Sequence, residues 1–183
     1  MPFPLCNWST LTSRIYERKP APCIVYIDTN VLLDLPDLRA YRTTYPDLTL
    51  VILPEVLREL AGLARAHGAE GQPARRAQLE LQHLASMRSV ALGIPIPGAS
   101  VLLEIPEPHG IQNLSVDDAL IRAAQMRQQL EPRAVVALFT RDGRIADKAL
   151  FAGLPCPLPR FKRVTAKSAE EALRHITAGL SSV

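Results

Sequence analysis

Four short stretches hold the residues that could do chemistry, and each centres on a carboxylate. They are Asp28 in "YIDTNVLLD", Glu59 in "VILPEVLREL", Asp117 and Asp118 in "SVDDALIRAA", and Asp142 in "LFTRDGRIADKA". Asp28 directly follows an apolar run, where desolvating an unpaired carboxylate costs several kcal/mol. Hydrogen bonds or an opposite charge must therefore compensate it. Acids gathered in one pocket repel, and such a cluster persists by sharing protons or by holding a cation. No Cys or His stands at metal-ligand spacing, so the donors are oxygens alone, which suits Mg2+ or Mn2+ better than zinc. Carboxylate-held ions of this kind are used in phosphodiester hydrolysis, one activating water and the other stabilising the leaving oxygen.

The elements that must position these acids follow from hydrophobic patterning. "CIVYID", "LTLVILP" and "AVVALFT" are near-continuous apolar runs rich in β-branched residues, as expected of strands buried on both faces. Each leads into a helix-like segment, the alternation of a parallel sheet with helical crossovers. In such a sheet the carboxyl ends of the strands share one edge, where ligands bind. "PEVLRELAGLARAHG" reads as a helix from Pro54 to near Gly68, with Val56, Leu60, Leu63 and Ala64 as its apolar stripe. Glu59 falls at the edge of that stripe, and Glu55 and Arg58 point further from it. "PARRAQLELQHLASMRS" and "SVDDALIRAAQMRQQL" are further helices. The stretch from Val90 to Asn113 is rich in Pro and Gly, with "SVLLEIP" as a short strand or extended edge. The last helix, "SAEEALRHITAGL", is predicted to open with a capping box at Ser168 and Glu171.

Composition sets the frame. The 183 residues, 48% hydrophobic, suit one globular α/β domain with a real core. We divide the chain into an N-terminal leader (1–22), a catalytic domain (23–160) and a basic C-terminal segment with a helix (161–183) expected to pack on it. A net charge of +3 permits a nucleic-acid partner without demanding one. Cys6, Cys23 and Cys156 are too scattered for a disulfide framework or a zinc site, so a reducing cytoplasm fits best. The leader lacks the pattern of a signal peptide, and no run reaches transmembrane length. No internal repeat or low-complexity tract is present.

Taken together and in order, "YIDTNVLLD", "VILPEVLREL", "DDALIRAA" and "LFTRDGRIADKA" resemble the motifs of the PIN-domain family of metal-dependent ribonucleases, over roughly Ile24 to Leu150. The resemblance implies a three-layer α/β/α sandwich with a central, mostly parallel sheet. It also implies Mg2+ or Mn2+ as cofactor and endonucleolytic cleavage of single-stranded RNA. Carried over by position, the metal-holding acids would be Asp28, Glu59, Asp118 and Asp142, with Thr29, Asn30 and Thr140 as the accompanying hydroxyls and amide. Motif position favours Asp118, whereas helical phase places Asp117 nearer the side of Leu120 and Ala124; both are kept as candidates, with Asp118 taken as the ligand. Two features depart from the family pattern: the stretch from His67 to Asn113 is longer than in compact toxin nucleases, and Gly143 replaces a polar residue after the last acid.

Each acid also has a plainer structural reading. Asp118 could cap a helix with Ser115, Asp142 could be an N-cap, Asp28 with Asn30 could form an Asx turn, and Glu59 could pair with an arginine. Asp34, Asp37 and Asp147 read as surface or cap acids, Asp147 being able to reach the site indirectly. His67, His83, His109 and His175 are scattered singly and support no nucleophile and base arrangement. An acidic pocket needs a positive rim to admit a polyanion. Candidates are Arg141, Arg144, Arg75, Arg76 and Lys148, then Arg65 and the "RFKRVTAK" residues Arg160, Lys162, Arg163 and Lys167. Aromatics are sparse and offer no evident stacking platform; Tyr41 and Tyr45 are expected to pack in the core.

A metal-dependent ribonuclease is thus the leading expectation, and a non-catalytic RNA- or protein-binding module on the same fold is the alternative. An aspartyl-nucleophile phosphatase is disfavoured because "DTN" lacks a second aspartate, and no GxxxxGK[ST] loop supports a nucleotide hydrolase. Neither a homodimer nor an antitoxin-like partner is demanded, although "SVLLEIP" and the leader could serve an interface.

Overall fold

The structure, a computed structural model, describes residues 21–41, 43–87, 94–95, 101–104 and 114–178. The expected leader up to residue 20 and most of the Pro- and Gly-rich stretch lie outside the described residues.

Strand β1 (Cys23–Ile27) is buried at every position, which is why its sequence runs apolar without alternation. It pairs in parallel with β2 (Leu48–Val51) on one side and with β5 (Val135–Phe139) on the other. β2 continues in parallel to β4 (Val101–Glu104), and β3 (Ile94–Pro95) closes the edge antiparallel, giving the order β3-β4-β2-β1-β5. The "SVLLEIP" stretch therefore supplies an interior strand, and the edge belongs to β3. Pro95 suits that edge, where a missing N–H costs no interior ladder bond.

Helix α1 (Thr29–Asp34) follows β1, and α2 (Pro54–Ala64) and α3 (Gln72–Met87) connect β2 to β4. α4 (Val116–Leu130) crosses back to β5, and α5 (Gly143–Phe151) and α6 (Ala166–Ala178) complete the chain. Helices α1, α2 and α3 pack on one another, whereas α4 lies on β5 with α5 beside it. Right-handed crossovers running first one way and then the other place helices on both faces, giving the three-layer α/β/α sandwich. The reversal falls between β1 and β5, so the loops leaving these neighbouring strands diverge.

Several local expectations need correction. α2 ends at Ala64, with Leu63 exposed, because its buried line is Val56 and Leu60 alone. Glu55, not Glu59, is its more buried acid, paired with Arg58 at 2.7 Å; its burial comes from the first turn's place at the sheet edge rather than from helical phase. α6 begins before Ser168. Thr165 caps it, accepting the Ser168 N–H at 3.2 Å while the Ser168 hydroxyl accepts the Thr165 N–H at 2.9 Å. Thr165 offers the same reciprocal cap three residues earlier, so the helix nucleates there. Tyr41 and Tyr45 are buried, Tyr41 against Phe139 with ring centroids 6.5 Å apart.

Arg75, expected on a phosphate-binding rim, works as a helix clamp. Its guanidinium donates to the carbonyls of Ala64 and Ala66 at 2.9 and 2.8 Å and of Gly68 at 2.8 Å, satisfying the open end of α2. Gly71 is required beneath it, since a Cβ there would stand 2.3 Å from the Ala66 carbonyl oxygen and 2.4 Å from the guanidinium. Arg75→Ala is expected to lower unfolding free energy by about 1–2 kcal/mol in urea titrations, the range for charge-assisted hydrogen bonds at partial exposure. The exposed neighbour Arg76 serves as control, with Arg76→Ala staying within about 0.5 kcal/mol.

Candidate acidic site at the strand ends

The β1–β5 register sets Ile27 opposite Phe139, so the next residues, Asp28 and Thr140, leave the sheet side by side. The Asp28 N–H extends the ladder by one bond, donating to the Phe139 carbonyl at 3.0 Å. Its carbonyl then accepts from Val31 and Leu32, opening α1. The side chain is fixed from three directions. Oδ1 accepts the Thr29 N–H at 2.7 Å, while Oδ2 accepts the Thr140 hydroxyl at 2.7 Å and the Asn30 amide. Thr140 in turn accepts the Asp142 N–H at 3.0 Å, and Asn30 Oδ1 accepts the Arg141 N–H at 3.2 Å. Asp28 thus caps α1 through the Thr29 N–H and takes the Asn30 side-chain amide, rather than closing an Asx turn on the Asn30 main chain, and the pair links two adjacent strand ends.

Every one of these donors is neutral, and among the described residues Asp28 forms no ion pair. With only 3% of its surface exposed, it is a buried carboxylate without a countercharge. Burial pushes its pKa up to about 6; the Thr140 and Thr29 hydrogen bonds oppose the rise, and the negative charges of Asp117 and Glu59 add to it. A carboxylate has about four acceptor directions. Two are used on Oδ2 and one on Oδ1, so Oδ1 keeps a direction open.

Glu59 reaches the same place from α2, where its Oε2 accepts the Thr29 hydroxyl. Asp117, in the first turn of α4, has its pKa raised by partial burial and then by Asp142, with Asp118 and Glu59 adding and Lys148 opposing. Asp117 therefore shares a field with Asp28, Glu59 and Asp142. Asp118 faces elsewhere, accepting the Ser115 hydroxyl at 2.8 Å and pairing with Lys148 at 3.1 Å, contacts that hold it below the usual carboxylate range. Its structural reading as half of a capping box with Ser115 describes what it does. Asp142 caps α5 through the Arg144 N–H at 2.8 Å and stays tied to Thr140.

Among the described residues, no three Asp, Glu, His or Cys side chains are gathered closely enough to enclose an ion. Glu59 is drawn to Thr29, and Asp142 to its helix cap. The donor chemistry nonetheless fits a hard divalent cation: a buried acid with an open acceptor direction, Asp117 and Glu59 in its field, Asp142 in that of Asp117, and oxygen donors throughout.

The basic candidates divide. Arg141 lies 3.2 Å from Asp34, whose carboxylate also accepts the Val164 N–H at 2.9 Å and has Arg163 at 3.9 Å. Asp34, expected at the surface, is a largely buried tie between α1 and the C-terminal segment; no sequence spacing announced it, because its partners lie more than a hundred residues away. Lys148 is paired with Asp118, and Asp147 with Arg160 at 2.7 Å, so Asp147 is committed away from the acids. Arg144, Arg76, Arg65 and Lys162 are exposed and make no ion pair among the described residues, and Lys167 sits 3.9 Å from Glu171. His67, His83 and His175 are exposed, and His109 lies outside the described residues.

Sequence reading also passed over Phe161. Its N–H donates to the Arg141 carbonyl at 2.9 Å and its φ is 57°, in the left-handed region. The residue is 77% exposed, with the tip of its ring over Gly143. A Cβ on Gly143 would stand 2.3 Å from Phe161 Cζ, which explains why a glycine follows Asp142.

An α/β/α sandwich with an oxygen-only acidic site at its switch point defines the general class. Residues 25–157 match the family profile described as PIN domain, well over half of the chain, so this protein belongs to the PIN-domain family. PIN domains are generally nucleases and generally use divalent metals. No curated protein sequence matches the chain. No helix among the described residues is long and apolar enough to cross a membrane.

The raised pKa of Asp28 has a definite sign in stability. Between the ordinary value of 3.8 and about 6, the native state keeps a proton that the unfolded chain has lost. That contribution is complete below the ordinary value and disappears as pH rises through about 6. In chelator, the stability of wild type relative to Asp28→Asn should fall by about 2 kcal/mol between about pH 4.5 and 7.5, measured by denaturant unfolding at each pH.

Proposed function

We propose that this PIN-domain protein is a Mg2+- or Mn2+-dependent endoribonuclease of single-stranded RNA. The observation that carries the reading is Asp28: a buried acid with no countercharge among the described residues, fixed by three neutral groups and lying in the field of Asp117 and Glu59. We assign Asp28, Glu59, Asp117 and Asp142 as the groups that would hold a divalent ion, with Asp118 as a cap. When bound, such an ion supplies Lewis acidity that lowers the pKa of water and offsets the charge of the phosphate oxygens.

The chain's own residues account for the positioning. Thr140 and Asn30 lock Oδ2, so the open direction of Asp28 stays on Oδ1. Thr29 couples that carboxylate to Glu59 by offering its N–H to one and its hydroxyl to the other. Thr140 also holds the backbone at Asp142, so one hydroxyl sets the spacing of two acids. In the hydrolysis, water adds to phosphorus as a P–O ester bond breaks and the leaving oxygen takes up a proton. Exposed Arg144, in the first turn of α5, offers charge to the phosphate backbone.

Labelled single-stranded RNA incubated with the protein should be cut in Mn2+ or Mg2+ and remain intact in chelator. Asp28→Asn and Asp117→Asn should each lower the rate about 100-fold or more, whereas Asp118→Asn should stay within about fivefold. Mn2+ should raise the melting temperature of wild type and not that of Asp28→Asn. Intact RNA in every condition, bound by folded protein, would instead establish the binding module.

A further inference from the structure

Phe161 is the feature that neither the fold nor the acidic site requires. A bulky aromatic at φ 57° is a backbone outlier, since the left-handed region suits Gly and Asn. Its ring is not buried for stability, because the residue is 77% exposed. Yet it has a fixed place. The backbone N–H is bonded to the Arg141 carbonyl at 2.9 Å and the ring tip rests on Gly143, so Phe161 brackets Asp142 from both of its chain neighbours. With the ring tip over Gly143, most of the residue is left to solvent.

The surroundings indicate what would cover it. Lys162 and Arg163 follow Phe161 directly, Arg160 precedes it, and Arg144 projects from the helix turn that begins at Gly143. Lys162, Arg163 and Arg144 are exposed. An apolar protein partner would bury these charges at a cost, whereas a nucleic-acid strand matches them, phosphates to the cations and an unpaired base to the ring.

We infer that Phe161 is a base-stacking residue, holding one unpaired nucleobase of the RNA beside Asp142 so that the adjoining phosphate lies at the acidic site. This rests on the reading of that site as RNA-cleaving, and it adds a positioning residue outside the acidic motifs. Stacking tolerates any base, so Phe161 would set the position of the strand without dictating sequence.

The test measures binding in chelator, apart from cleavage, with a fluorescein-labelled, unstructured RNA of about 12 nucleotides. Phe161→Ala and Phe161→Gly are expected to weaken binding about 5- to 50-fold. Phe161→Trp should keep the affinity within about threefold, and its emission should be quenched as RNA is added. A purely structural Phe161 makes a different prediction for the glycine variant. Because glycine accepts the left-handed backbone, Phe161→Gly should melt no lower than wild type while binding RNA more weakly. Equal affinity of all variants for RNA that wild type binds and cleaves would overturn the stacking role and leave the nuclease reading intact. Failure of folded wild type either to bind or to cleave RNA would overturn both.

Discussion

The structure turns on one carboxylate held where the sheet would be more stable without it. Asp28 leaves β1 beside Thr140 at the end of β5, buried, with hydrogen bonds and, among the described residues, no countercharge. A buried charge of this kind costs more than its neutral hydrogen bonds return. The surrounding architecture tolerates the arrangement because it fixes every group involved. Paired strands set the register, Thr140 and Asn30 fix the carboxylate, and the Asp28 main chain opens α1. Moving β5 by one residue relative to β1 would replace Thr140 with an apolar or charged neighbour and leave Oδ2 unsatisfied.

The same constraint explains the position of the other acids. Neighbouring strands whose connections diverge leave a crevice that no crossover fills. α2 and α4 approach each other there, bringing Glu59 and Asp117 toward Asp28, while Asp142 arrives with the first turn of α5. Two of these acids also have conventional duties. Asp142 caps its helix, and Glu59 accepts a hydroxyl. These partners hold the carboxylates apart and lower the repulsion that four acids in one crevice would otherwise generate. The capping and acidic-site readings of Asp142 are therefore compatible.

Much of this was legible in the sequence, and the unread parts have physical reasons. Strands buried on both faces write themselves as apolar runs, so β1, β2 and β5 could be found without tertiary information, and an acid directly after such a run was conspicuous. The choice between Asp117 and Asp118 was harder, because one residue is about 100° of helix phase and the motif and the phase disagreed. In the structure Asp118 meets Ser115 and Lys148, while the charges of Asp142 and Glu59 act on Asp117. Asp34 could not be read at all, since its partners Arg141 and Val164 are adjacent only in the folded chain. Phe161 was hidden for a related reason. In a basic segment it passed as an isolated apolar residue, and its importance comes from a backbone angle and from the glycine beneath its ring.

Asp28 and Phe161 have a property in common that separates them from the core. Each departs from what stability alone would select, one by burying a charge and the other by placing a large side chain in the left-handed region while leaving it in water. Departures of this kind survive where the surrounding structure over-determines them, and they concentrate at working sites. Here they flank a single short stretch, since Thr140 binds Asp28, Arg141 binds the Phe161 main chain, and Asp142 and Gly143 lie next in line. Four consecutive residues thus couple the acidic crevice to the exposed ring. A displacement of that stretch would move both together, because residues 140–143 form the short connection from the end of β5 into α5.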